Sequence, residues 1–208
     1  MIQFLKKNTI ALVSIIIALT TLYLTQFRKA DIEIYVADKL LVWYAPSNAT
    51  GIIAPISLIN RSNRLGSVAR VVMIINRRDT PEQNYVIEWK QFDDLVDGLW
   101  TRISETGTLA VPANGSISKQ IRFEWTGQQD LKFRVGTYDV DLFVWEAVGD
   151  SPITTRKYSL IVDQAMFNEI AENSGKEAYD VTRVPINGGF SSSIVLNKHE
   201  LERILYVK

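Results

Sequence analysis

Phe133-Arg134-Val135-Gly136-Thr137-Tyr138-Asp139-Val140-Asp141-Leu142 is the stretch that decides the fold. After Gly136, apolar and polar side chains alternate. Tyr138, Val140, Leu142 and Val144 share one parity, and Asp139 and Asp141 take the other. A period of two marks a strand with one face in a core and the other in water. A glycine just before such a run signals a turn.

The same alternation recurs on both sides of this stretch. It is present in Ile32–Val36, Leu40–Tyr44, Ile52–Leu58, Tyr85–Trp89, Ile117–Trp125 and Tyr158–Val162. Val68–Ile75 is almost continuously apolar, as in a strand covered on both faces, and Thr108–Pro112 reads as a short strand. Ala113-Asn114-Gly115 is a turn suited to positive φ. Phe92, Leu95, Val96 and Leu99 fall at helical spacing with Asp93, Asp94 and Asp97 opposite, which predicts a short amphipathic helix with a wet acidic face. About nine short strands with no long helix between them predict an all-β, antiparallel sandwich or barrel. A parallel sheet would need crossover helices.

The turn, the tyrosine two residues after Gly136 and the strand that follows resemble the tyrosine corner of immunoglobulin-like and fibronectin type III-like sandwiches. In those folds the tyrosine hydroxyl bonds back to upstream backbone. The resemblance covers residues 30–162. It implies an immunoglobulin-like sandwich in which Tyr138 closes the corner. The chain has no cysteine, so the Cys…Trp…Cys pattern of true immunoglobulin domains is missing. As a whole, the layout resembles membrane-anchored immunoglobulin-like proteins of bacterial envelopes, a likeness that implies no activity.

The anchor in that layout is the 20-residue uncharged run Asn8–Phe27, set between Lys6-Lys7 and Arg28-Lys29. As a helix rising ~1.5 Å per residue it would cross a hydrocarbon core of ~30 Å. It is longer than the apolar core of a cleaved signal peptide and runs into a poor cleavage site, so residues 1–29 read as a signal anchor. Flanking charge is nearly balanced. The terminal amine and the short leading tail favour a cytoplasmic amino terminus, which would put the large domain outside.

Residues 163–208 read as a helical tail. Asp163 can cap a helix bearing Met166, Phe167 and Ile170. An irregular stretch, 176–193, follows. Asn197 and Glu200 then open a last helix with Leu201, Ile204 and Leu205 on one face, a candidate contact with another envelope or membrane protein or with a second copy. Phe143 and Trp145 have the outward parity opposite Tyr138 and form a second candidate contact patch, unless a strand, loop or the tail covers them.

Composition excludes several classes of function. All 23 acidic residues lie after position 30, whereas four of the 23 basic residues flank the apolar run. The remainder carries 19 basic and 23 acidic residues, a net charge of −4. That balance, without a clustered basic face, does not suit nucleic acid. With no cysteine, thiol chemistry and cysteine-based metal sites are excluded. The single histidine, His199, cannot build a histidine cluster, and no nucleophile-elbow or phosphate-loop pattern is present. Asp139 and Asp141 share a strand face ~6.5–7 Å apart, but their parity points both to water. The tryptophans Trp43, Trp89, Trp100, Trp125 and Trp145 could form a sugar platform only if they were outward. The reading is therefore a non-enzymatic module without a cofactor or metal, anchored in the lipid bilayer, that acts as an interaction or structural part of the cell envelope. The alternative is a ligand-binding module for envelope carbohydrate or ions.

Overall fold

The computed structural model describes residues 2–23, 29–37, 39–44, 49–96, 99–126, 131–147, 149–172, 182–187 and 195–196. It is mostly β. A helix α1 (Ile2–Leu22) precedes strands β1 (Ile32–Val36), β2 (Lys39–Tyr44), β3 (Thr50–Asn60), β4 (Gly66–Val68), β5 (Arg70–Arg77), β6 (Asn84–Val96) and β7 (Leu99–Glu105). β8 (Leu109–Val111), β9 (Gly115–Trp125), β10 (Gly136–Trp145) and β11 (Thr154–Val162) follow. Then come helix α2 (Gln164–Glu172), β12 (Thr182–Asn187) and β13 (Val195–Leu196).

Every strand pairing is antiparallel. In sequence around the sheet, β3, β2, β12, β11, β10, β5, β6 and β9 each bond to the next, and β9 returns to β3. The result is a nearly closed barrel. β1 sits beside β2 on the same edge of β3, and β7 and β13 pair with β6 outside the ring. Pro55 lies where β3 passes from β1 to β2. Its carbonyl accepts from Ala37 N–H at 3.0 Å on that edge, so the amide it lacks would face a gap in the ladder.

The inward parity forms one core. Ile34, Leu40, Ile52, Met73, Ile75, Phe123, Leu142 and Val144 are fully buried in it, together with Tyr138 and Val140. At one end the core is closed by α2, whose Ile170 is buried and whose Met166 and Phe167 pack against the same cluster. Asp163 caps this helix, with its carboxylate accepting from Met166 N–H at 2.8 Å. Asn114 takes the positive φ (47°) expected of its turn. Asn60 is also buried. Its amide donates to the carbonyls of Arg64 (2.6 Å) and Val111 (3.2 Å), tying the turn after β3 to β8.

The structure corrects several expectations. Residues 92–96 continue strand β6, and β7 begins at Leu99; they are not a helix. One bulge, at Lys90 between Trp89 and Gln91, resets the parity of β6, and a second places an extra residue, Ile103, in β7. Gln91, Phe92 and Asp93 are consequently buried in succession, which mimics helical spacing. The acidic face is not uniformly wet, because Asp93 is 4% exposed. Within the stretch read as irregular, residues 182–187 form β12. Brevity and Pro185 conceal it, but Val184 and Ile186 share a parity.

Among the described residues no helix is long and apolar enough to cross a membrane. α1 includes Lys6, Lys7 and Asn8 in its first two turns, and residues 24–28, which complete the apolar run, lie outside the described residues. Its side chains from Ala11 to Tyr23 are exposed on every side. Leu12, Ile15, Ile16, Ile17 and Leu19 are 54–60% accessible, so the barrel does not cover them.

Candidate functional site

The sequence-derived sites are placed as follows. Tyr138 is buried at the start of β10. Its hydroxyl accepts from Arg134 N–H at 2.7 Å and donates to Arg134 C=O at 2.9 Å. Phe133 meets its ring edge-on at 5.3 Å. Phe143 and Trp145 do have the outward parity, but each is only 5% exposed. With Val72, Ile74 and Val86 they make a small outer cluster, and the Arg70 guanidinium lies 4.9 Å over the Trp145 ring. Leu201, Ile204, Leu205 and His199 lie outside the described residues. Asp139 and Asp141 each have a cation: Arg78 at 2.6 Å and Lys157 at 2.9 Å. Of the tryptophans, Trp43, Trp89, Trp125 and Trp145 are buried, leaving Trp100 half-buried against Trp43.

Two features escaped the sequence reading. The first is a buried polar cluster on the outside of the barrel. Arg122 of β9 and Asp93 of β6 form an ion pair at 2.5 Å, and their side chains are 9% and 0% exposed. Gln91 donates to the other carboxylate oxygen at 2.7 Å. The Arg122 guanidinium stacks 4.8 Å from the Trp43 ring. Trp43 in turn lies flat on Gly51, where any Cβ would stand 1.9 Å from the indole, so only glycine admits this layer. The β6 bulge at Lys90 puts Asp93 on the same outer face as Arg122. Beside the cluster a cavity of about 290 Å³ is lined by Asp93, Asp94, Lys119 and Gln120 among others.

The second feature is a basic cavity of about 500 Å³ at the Tyr138 end of the barrel. Arg77 from the end of β5, Lys132 and Arg134 from the β9–β10 connection, Thr80 and Gln83 from the β5–β6 turn, and Tyr85 from β6 line it, with Leu131 and Tyr138 as its floor. No carboxylate is among these lining residues. Arg77 is held firmly. Its Nη2 donates to Val135 C=O at 2.9 Å and pairs with Asp79 at 2.8 Å. Its guanidinium lies 6.0 Å from the Tyr138 ring. Gly136, at φ +153°, lets the guanidinium approach, because a Cβ there would be 3.1 Å from Nε. That Nε is buried and has no hydrogen-bond partner.

The electrostatics of this end follow from burial and from the neighbouring arginines. Burial pushes the Tyr85 hydroxyl above its ordinary value, and the charge of Arg134 pulls it back. Burial likewise raises Tyr138, opposed by its bond to Arg134 and by the charge of Arg77. The cavity lies far from the point where the chain enters the barrel. Ile32 pairs with Asn60, and Asn60 with Gly115, whereas the cavity end is marked by Thr50 opposite Trp125. The ten residue steps of β9 between those ends span ~33 Å.

No family model matches the chain, and no curated protein matches it. Several solved structures are similar in part. The Bacillus subtilis protein ycdA, a candidate lipoprotein, aligns with a TM-score of 0.34 at 11% identity over 66% of this chain, which spans 38% of that chain's length. The candidate ApaA protein of Bordetella pertussis aligns with a TM-score of 0.27 at 12% identity, covering 66% of this chain and 97% of its own. Spo0M, a sporulation control protein of Bacillus subtilis, gives a TM-score of 0.25 at 11% identity over 70% of this chain and 54% of its own.

Proposed function

We propose that this protein is a single-pass, membrane-anchored, non-enzymatic module of the cell envelope, serving as an accessory interaction or structural subunit of a membrane complex, with its barrel on the extracytoplasmic side. The observation that carries this reading is α1. A helix with apolar side chains exposed on every described face, and no cover from the other described residues, needs an apolar surrounding. The run Asn8–Phe27, completed by residues beyond the described ones, has the length for a bilayer.

The finer fold belongs to the same proposal. With β1 and β2 read as one strand, the pairings β2–β3–β9 and β5–β10–β11, joined through β6, follow the order of an immunoglobulin-like sandwich. In this reading Tyr138, at the start of the strand after β9, takes the part of the corner tyrosine, which its two bonds to the Arg134 backbone support.

The ligand-binding alternative loses the seats read for it. Its carbohydrate and cation versions relied on Phe143 and Trp145, which are buried, and on Asp139 and Asp141, which are paired with cations.

The membrane reading is tested by alkaline carbonate extraction and topology labelling of the full chain. Gly107 has open space around it and the chain has no cysteine, so Gly107→Cys is a clean probe. Retention in the carbonate pellet and labelling of intact cells (with any outer envelope permeabilised) by an impermeant maleimide are expected. Release into the supernatant would overturn the anchor, and labelling only after inner-membrane lysis would overturn the orientation.

A further inference from the structure

We propose that the turn joining β3 to β4 is a second membrane contact, in which Leu65 enters the boundary between lipid headgroups and acyl chains of the leaflet beside α1. The proposal rests on the reading of α1 as a bilayer span. Leu65 is 69% exposed, more than any other large apolar side chain among the described residues. A lone exposed leucine is ordinary on a protein surface, so its position carries the argument. Gly66, the next residue, lies against the point where the chain enters the barrel. A Cβ there would stand 2.6 Å from Ile32 Cδ1 and 3.2 Å from Ala30 Cβ. Arg61, at the other end of the turn, donates its N–H to Asp31 C=O at 2.8 Å. The apolar run ends at Phe27, four residue steps before Asp31. Four steps span at most ~14 Å. A chain that leaves the hydrocarbon at Phe27 therefore keeps this end of the barrel at the headgroup layer.

The turn is braced as well as near. Asn60 Oδ1 accepts from Ser62 N–H at 3.0 Å and from Ser62 Oγ at 2.7 Å, and Arg64 N–H donates to Ser62 Oγ at 3.3 Å. Ser62 C=O accepts from Asn114 N–H at 2.7 Å, which joins this turn to the one before β9. Pro112 and Ala113 of that second turn are exposed too, and neither carries a charge. A turn fixed in this way holds Leu65 out from the barrel and loses little freedom when the side chain is buried. Apolar groups at the headgroup boundary sit ~5–10 Å into it, within reach of a turn on so short a tether.

The test uses the full-length chain in nanodiscs of phosphatidylcholine and phosphatidylglycerol. The chain has no cysteine, so Leu65→Cys, Ile16→Cys and Glu82→Cys each give a single label site. Glu82 is exposed and lies between β5 and β6, at the opposite end of the barrel. A fluorophore at each site is read against lipids that carry a nitroxide at a shallow or a deep acyl carbon. The label at residue 65 should be quenched more by the shallow nitroxide, the label at residue 16 more by the deep one, and the label at residue 82 by neither. A charged thiol reagent, applied to the unlabelled variants, should modify Leu65→Cys at least tenfold more slowly than Glu82→Cys, a rate that no apolar label can bias. Unchanged melting temperatures will confirm folding. Quenching at residue 16 but not at residue 65 would overturn the second contact and leave the anchor standing. No quenching at residue 16 would overturn the anchor and the contact with it. Equal quenching or equal thiol rates at residues 65 and 82 would also overturn the contact.

Discussion

Tyr44 and Tyr138, from opposite sides of the barrel, hold consecutive amides of one connecting segment. The Tyr44 hydroxyl accepts from Phe133 N–H at 2.6 Å, and the Tyr138 hydroxyl accepts from Arg134 N–H at 2.7 Å. Thr50 adds a third tie by donating to Leu131 C=O at 2.5 Å. The connection from β9 to β10 is thus fastened to both halves of the barrel. Lys132 and Arg134, which it carries, are presented at the cavity from a fixed backbone.

Removing either hydroxyl strands a backbone amide. Tyr138→Phe and Tyr44→Phe should each destabilise the full chain by about 1–2 kcal/mol while leaving its strand content intact. Urea denaturation followed by circular dichroism will read this. An unchanged midpoint for Tyr138→Phe would show that the corner bond does not stabilise the fold.

The same two tyrosines set an alkaline limit. Burial pushes the Tyr44 hydroxyl well above the usual tyrosine range, and the neighbouring Tyr138 adds to the rise; Tyr138 is itself raised, chiefly by burial. A raised folded-state value means that the native state favours the neutral phenol. The stability it confers is complete below the unfolded tyrosine value of about 10 and is lost as pH rises above it. Tyrosinate absorbance and near-ultraviolet circular dichroism should therefore change together above that pH. Free titration of all tyrosines without loss of tertiary signal would refute the coupling.

The ion pair of Arg122 and Asp93 should be costly to break and cheap to replace. Arg122→Met leaves a carboxylate with no exposed surface beside Gln91 and without its cation. A loss of ~3–5 kcal/mol is expected. Adding Asp93→Leu should recover most of it, since an apolar pair avoids both desolvation terms. A double variant as unstable as the single one would mean that Trp43 depends on the guanidinium for its own position.

Gly51 provides an independent check on that layer. Gly51→Ala places a methyl group within the volume of the Trp43 indole and should force the ring off Arg122. Tryptophan fluorescence should shift to longer wavelength as the ring meets water. A spectrum identical to the parent would mean that the layer has room it does not show.

How much of this was readable from the chain differs from element to element. β10 was plain because its inward residues alternate without interruption from Tyr138 to Val144. β6 defeats pattern reading beyond Trp89 because its bulge at Lys90 changes the parity, and pattern reading assumes a constant parity. For the same reason the burial of Asp93 was hidden, since its partner Arg122 is 29 residues away. The basic cavity had no local signature. Arg77, Lys132 and Arg134 come from opposite ends of two β connections, and nothing in their spacing brings them together before the barrel forms. Burial of Phe143 and Trp145 was foreseen only as one of two outcomes, because parity gives the face of a side chain and not what lies over it.

β12 joins β11 through two residue pairs and β2 through four, far fewer than the eleven that join β3 to β9. Pro185 leaves it one amide short within that narrow contact. The barrel therefore has a seam, and transient opening under native conditions should begin there. Amide protons that bond across the β11–β12 and β12–β2 edges should exchange with solvent sooner than those in the β3–β9 ladder on the opposite wall. An interior that unzips along one line can admit water, or a pulling partner, without unfolding the rest.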